Sequence, residues 1–252
     1  MLADPYSFPV TDFLNLCNAQ VPELTVIGGC ASAATRPGGN RILFDDRIMT
    51  SGAVAVMCSD DVPVRAVVSQ GCRPIGKPLT ITRGERNFVH ELAGRPAMTR
   101  LQEIVNSASD DDRELMREGL HLGLVVDEHR LDFDRGDFLV RNLLGADPST
   151  GSLAVGEAIG VGQTVQFHVR DARAADEDLR LTLDGVAGDG ALMFTCNGRG
   201  THMFSEPGHD ASVVEELLGS VPLSGAFCAG EIGPIGGRNF LHSFTASVAV
   251  FG

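Results

Sequence analysis

Three stretches of this chain combine glycine, arginine and a polar or reactive side chain where an apolar run ends. They are Ser69-Gln70-Gly71-Cys72-Arg73-Pro74-Ile75-Gly76, Cys196-Asn197-Gly198-Arg199-Gly200, and the long run from Gly230 and Glu231 through Gly236, Gly237, Arg238 and Asn239 to His242. Glycine at a strand end lets a ligand approach the main chain closely. Arg73 and Arg199 each offer a planar fork suited to a carboxylate or phosphate. Glu231 can pair with a ligand amine or with one of the arginines. An arginine and a glutamate on a glycine-rich floor suit a small zwitterion or another small carboxylate. The candidate ligand-binding set is therefore Arg73, Cys196, Arg199, Glu231, Asn239 and His242. The plainer alternative is that Arg199 and Glu231 bridge each other and only hold the loops.

Cys72 and Cys196 each lie near an arginine, and a neighbouring cation favours the thiolate. With His242 as base, either would be a candidate nucleophile, although buried inert thiols are the commoner use of cysteine. The seven histidines (His90, His121, His129, His168, His202, His209, His242) show no metal-ligand spacing. No phosphate-binding P-loop, complete dinucleotide fingerprint or nucleophile elbow occurs. The motifs thus call for no metal and no cofactor, and a binding protein is preferred over an enzyme.

Composition narrows the partners. The 252 residues carry 20 basic and 33 acidic side chains, a net charge of −13. Such a chain repels phosphate backbones and shows no basic stripe, so nucleic acid and anionic membrane are poor partners. Six cysteines without a C-x-x-C pair, behind an N-terminus unlike a signal peptide, fit a reduced, cytoplasmic setting. No apolar run is long enough to span a bilayer.

The elements that must position these loops alternate. Periodicity predicts a helix over 10–19, a strand over 24–28, strands over 41–44, 53–58 and 62–69, and a helix from 83 to 94. A second helix follows Pro96, with Met98, Leu101, Ile104 and Val105 on one face. Ser109 with Asp112 reads as a capping box for a helix ending at Gly119. Strands follow over 121–126, 138–143 and 164–170. In the last of these, buried Val165, Phe167 and Val169 alternate with a polar face. A helix over 172–183, a strand over 191–196, a helix over 211–218, a strand over 223–229 and a final strand or pair complete the chain.

An internal similarity overlays this order. At an offset of 198, Cys30/Cys228, Ala31/Ala229, Gly38/Gly236, Gly39/Gly237 and Leu43/Leu241 are identical, and Val21-Pro22 precedes the first copy as Val221-Pro222 precedes the second. This predicts two related halves about a pseudo-twofold axis, with a cleft at their junction as a ligand site. The fold class is α+β: mixed or antiparallel sheets covered by helices, with a layered αββα-like sandwich as one arrangement.

At the three loops the sequence resembles the FIST family of ligand-sensing proteins, through SQGCRPIG (69–76), FTCNGRG (194–200) and GAFCAGEIGPIGGRNFLHSFTAS (225–247). The resemblance places a partial FIST N-terminal part at 1–95 and the FIST C-terminal domain at 96–252. It implies intracellular sensing of a small molecule, with amino acids as proposed ligands. Its implied partners are that small molecule and a signalling protein, with self-association left open. Some members resemble haem proteins that sense nitric oxide. In that alternative the axial ligand would come from His242, His202 or Cys196.

Overall fold

The computed structural model describes residues 1–252. In chain order the elements are β1 Leu2–Ala3, α1 Val10–Gln20, β2 Gly28–Ala31, β3 Ile42–Phe44, β4 Arg47–Met49, β5 Ala53–Val54, β6 Val64–Gln70, β7 Cys72–Glu85, β8 Phe88–Leu92 and β9 Arg95–Pro96. Then come α2 Ala97–Ser107, α3 Asp110–Glu118, β10 Leu120–Val125, β11 Phe138–Asp147, β12 Ser152–Val155, β13 Thr164–Arg170 and α4 Ala172–Leu183. The chain closes with β14 Gly190–Cys196, α5 His209–Leu218, β15 Leu223–Ile235, β16 Arg238–His242 and β17 Thr245–Phe251. The fold is α+β with mixed and antiparallel sheets, and no helix is long and apolar enough to cross a membrane. The chain divides into two compact units: Met1–Gly71 with Ala172–Gly252, and Cys72–Asp171.

The first unit holds an eight-stranded sheet in the order β5-β1-β2-β15-β14-β17-β6, with β16 paired to β15. Read outward from its centre, the sheet repeats itself. β1 and β2 are parallel and joined through α1, and β14 and β15 are parallel and joined through α5. The two second strands, β2 and β15, pair antiparallel, while β5 and β17 flank their own copies antiparallel. The two copies seen as sequence identities are thus adjacent βαβ units in one sheet.

Apolar faces explain the helix positions. Leu179 and Leu183 of α4 and Val213 and Val214 of α5 bury against Val67, Met193, Val248 and Val250. α1 buries Val10 and Leu14 against Ala3, Cys30 and Ile232. Each such leucine contributes about 2 kcal/mol when removed from water.

The second unit is a seven-stranded sheet, β12-β11-β10-β13-β7-β8-β9. Its core joins Ile81, Leu92, Leu122, Leu153 and Phe167 to Met98, Leu101 and Ile104 of α2. Ser109 caps α3 by accepting from the Asp112 N–H at 3.1 Å, as the spacing required.

Four local expectations are corrected. Residues 83–94 form a hairpin, not a helix, because β7 runs on to Glu85 and pairs with β8, burying Val89 and Leu92. The strand expected at 24–28 starts at Gly28, because Leu24 O and Val26 N bond the Asn239 side chain instead of a ladder. The strand expected at 53–58 stops at Val54, because its partner β1 is only two residues long. In β13 the polar face is buried too: Gln166 Nε2 donates to Gly76 O at 2.8 Å, and His168 is fully enclosed.

His168 sits over Gly123, where a Cβ would meet its ring at 2.4 Å. Its Nδ1 lies 3.0 Å from Gln166 O, and its ring meets Phe138 edge-on. Burial pushes His168 down to about 4, and burial together with the nearby Arg170 does the same to His121. The unfolded imidazoles take up protons near pH 6.5 while the folded ones stay neutral until about pH 4, so stability falls with pH across that window. The urea midpoint of the protein is expected to drop from pH 7 to pH 4.5, and by less in His168→Leu. An equal drop in both proteins rejects this assignment.

Candidate functional site

The polar residues of the first unit gather where β14 ends. Cys196 is the last residue of β14 and pairs directly with Cys228 of β15. Beyond it the chain turns through Asn197-Gly198-Arg199, and a short 3-10 turn, Gly200–His202, leads towards α5. The β15–β2 register slips between Cys228 and Glu231, and this bulge sets Glu231 opposite Gly29 on one side and His242 on the other. β17 begins at Thr245, opposite Gln70 of β6. All three motif stretches therefore send residues to one corner, although they are distant in sequence.

Arg199 is fully buried. Its Nε and Nη2 donate to the two carboxylate oxygens of Asp210 at 2.7 and 2.8 Å, and its guanidinium stacks on Phe204, 5.4 Å from the ring centre. Thr195 Oγ1 donates to the same carboxylate at 2.7 Å. Burial alone would raise Asp210, but Arg199, Thr195 and His209 hold it below the usual carboxylate range. The fork is thus aimed by α5, whose first turn carries Asp210. The remaining nitrogen, Nη1, has no hydrogen-bond partner.

Glu231 is equally buried. Its Oε2 accepts from Thr245 N at 3.1 Å and from Thr245 Oγ1 at 2.9 Å, while Oε1 has no hydrogen-bond partner. No ion pair joins it to Arg199, so the simple internal bridge is not formed. Burial pushes Glu231 up to about 8, against the pull of Thr245, the Arg199 charge and the adjacent Cys196 thiol. Arg199 and Glu231 are thus two fully buried polar side chains of this corner, each with one polar atom that lacks a hydrogen-bond partner.

The backbone is tailored to this corner. A Cβ on Gly71 would lie 2.1 Å from Phe244 O and 2.9 Å from Arg199 Nη1, so only glycine fits there. Phe244 itself has φ 64°, a left-handed conformation that costs a bulky residue about 1–3 kcal/mol. That turn brings its backbone to the Cys196 thiol.

The Cys196 and Cys228 thiols are not activated. Burial first, then the Glu231 charge, pushes Cys196 up to about 11, and the same two causes push Cys228 up to about 12. Neutral thiols of this kind are poor nucleophiles. Cys72 is buried in the second unit.

The remaining sequence candidates lie as follows. Arg73 belongs to the second unit, where its guanidinium donates to Asp171 at 2.6 Å and Asp112 at 2.5 Å. Asn239 braces α1: it bonds Asn18, Leu24 O and Val26 N. His242 is the cross-strand partner of Glu231, with its Nε2 2.9 Å from Gly233 O. His202 is exposed on the 3-10 turn.

Of the three residues named for a haem axis, His242 has its Nε2 2.9 Å from Gly233 O, Cys196 is buried with its thiol pushed up to about 11, and His202 is exposed. No group of three or more His, Cys, Asp or Glu side chains is placed to hold a metal ion. An open surface depression of about 440 Å³, lined by Glu215, Ser220, Val221 and Pro222, carries none of the motif side chains.

Asp210 and Thr245 had no role in the sequence reading. Thr245 lies inside the long third motif, but a threonine gives no hint of which carboxylate it will meet. Asp210 lies in the first turn of a helix, where an acid is ordinary.

Comparison with known proteins places this geometry in context. The family model of the FIST N domain matches residues 1–95, and that of the FIST C domain matches residues 97–234. An uncharacterized protein of Mycobacterium tuberculosis is 50% identical over 257 residues, covering 100% of this chain and 67% of the relative. An uncharacterized protein of Mycobacterium bovis is 51% identical over 259 residues, covering 100% of this chain and 66% of the relative. The chain thus spans about two thirds of the length of these relatives.

Removing one member of the buried ion pair leaves the other charge stranded, at a cost of about 3–5 kcal/mol. Asp210→Ala is expected to lower unfolding stability by that amount, and the double variant Arg199→Leu/Asp210→Leu by clearly less. Urea titration of the three proteins checks this. Equal losses in the single and double variants would show that the pair is not coupled.

Proposed function

Because the chain belongs to the FIST family, we propose that it is a small-ligand-binding sensory domain whose recognition centre is the Arg199–Glu231 corner. The observation that carries this reading is the pair of open polar atoms, Arg199 Nη1 and Glu231 Oε1, on two fully buried side chains. A buried polar atom without a partner costs about 1–3 kcal/mol, and a folded protein retains that cost where a ligand supplies the missing bond. The strained Phe244 and the obligate Gly71 support it, because both keep the main chain close to the open atoms.

The ligand is small and carries a carboxylate, in the class of amino acids and simple organic acids. Arg199 binds it, Glu231 and Thr245 orient it, and Cys196 and Cys228 form its apolar wall. No bond is made or broken. Entry requires the loop 197–208 to lift, since neither Arg199 nor Glu231 reaches solvent. That loop leads directly into α5, so occupancy alters the seating of α5 through the Arg199–Asp210 bond. This movement is the signal that a sensory domain passes on.

A thermal-shift screen of amino acids and small carboxylates tests the reading. A ligand that binds only the folded state is expected to raise Tm by mass action, with about 2.7 kcal/mol gained at a hundredfold excess over Kd. The gain is expected to vanish in Arg199→Leu/Asp210→Leu, while circular dichroism stays native. A screen with no shift, together with native mass spectrometry showing no co-purifying small molecule, would overturn it.

A further inference from the structure

Residue type alone suits Glu231 to a ligand amine or to an arginine, but its hydrogen bonds point the other way. We propose that Glu231 serves the site as a neutral carboxylic acid, donating its proton from Oε1, so that Oε1–H joins Arg199 Nη1–H as a second unused donor of the corner, available to an anionic ligand. This rests on the assignment of the recognition centre made above and settles which end of a ligand enters it.

Hydrogen-bond accounting carries the argument. Glu231 Oε2 already accepts two donors, Thr245 N and Thr245 Oγ1. The Thr245 N–H can only donate and already points at Oε2, so the carboxyl proton is assigned to Oε1, the oxygen without a partner. The side chain is fully buried and no cation bonds it, because Arg199 spends two nitrogens on Asp210. An isolated carboxylate in such a place is far costlier than the neutral acid. The groups around Glu231 agree: Cys196 of β14, Cys228 of its own strand β15 and Cys30 of β2 are neutral thiols, and His242 of β16 is bonded to a carbonyl. Arg199 is the positive charge nearest at hand, and Asp210 largely neutralises it.

The corner therefore presents two donors and no free acceptor. A cation finds nothing there to receive its protons, whereas a carboxylate receives one bond on each oxygen and brings the charge that the second donor face of Arg199 lacks. When Glu231 ionises, the site loses a donor and gains a charge like the ligand's, so above that transition binding takes up one proton.

Three probes of similar size separate the cases: acetate, acetamide and methylammonium, followed by calorimetry and by chemical shifts of the protein. Acetate is expected to bind, to weaken about tenfold for each pH unit above the Glu231 transition near pH 8, and to do so less in Glu231→Gln, whose amide N–H replaces the donor. Independently of any ligand, the infrared carbonyl band of a protonated carboxylic acid is expected at pH 7 and missing in Glu231→Gln. Binding of methylammonium in preference to acetate, acetate binding that tightens with pH, or absence of the infrared band would overturn the proton assignment while leaving the site in place. Failure of all three probes to bind wild-type protein would overturn the recognition centre itself.

Discussion

The first unit is organised around the cost of taking charge out of water. Arg199 is enclosed completely, and a bare guanidinium there would unfold the surrounding loops. Asp210 meets two of its nitrogens, Thr195 holds Asp210, and Phe204 covers the face of the fork. These contacts tie the end of β14, the 3-10 turn and the first turn of α5 into one rigid bracket. They also leave the third nitrogen, Nη1, without a hydrogen bond. The interactions that stabilise the bracket are thus the ones that leave this atom unused.

The bracket stands where the topology favours it. In parallel strand pairs joined through a helix, the carboxyl ends of the strands and the helix N-terminus face the same way. β14 and β15 are such a pair, with Cys196 at the end of β14 and α5 starting soon after. The bulge in β15 adds what regular pairing would not give. It turns Glu231 into register with Gly29 and His242 beside the end of β17. The other βαβ unit, β1–α1–β2, has the same connectivity but places Ala3 and Cys30 under α1 in an apolar cluster. Just beyond β1, buried Asp4 accepts from Asn40 Nδ2 at 2.8 Å and from Ser7 Oγ at 2.6 Å, so both frames carry polar residues at a strand end, but with different partners.

The second unit satisfies its charges internally. Arg73 is divided between Asp171 and Asp112, the latter held in the first turn of α3. His121 and His168 are kept neutral by burial. An arginine in a glycine-rich motif reads the same in sequence whether its fork is taken or open, so Arg73 and Arg199 could not be told apart before their partners were known.

Much of the secondary structure follows from local sequence alone. α4 falls on residues 172–183 as its periodicity requires, the Ser109 cap starts α3, and the alternation of Val165, Phe167 and Val169 makes β13. These depend on neighbours a few residues away. The family, the repeat and the chemistry-bearing stretches were legible for the same reason, since each is a contiguous string. What the sequence could not contain is the outcome of long-range pairing. The hairpin over residues 83–94 needed β7 to find β8. Asn239 became a brace because Leu24 and Val26 lay beside it, and Glu231 met Thr245 across a strand turn rather than Arg199. Hydrogen-bond partners in a buried corner are chosen by which strands lie side by side, and that choice exists only once the sheet has closed.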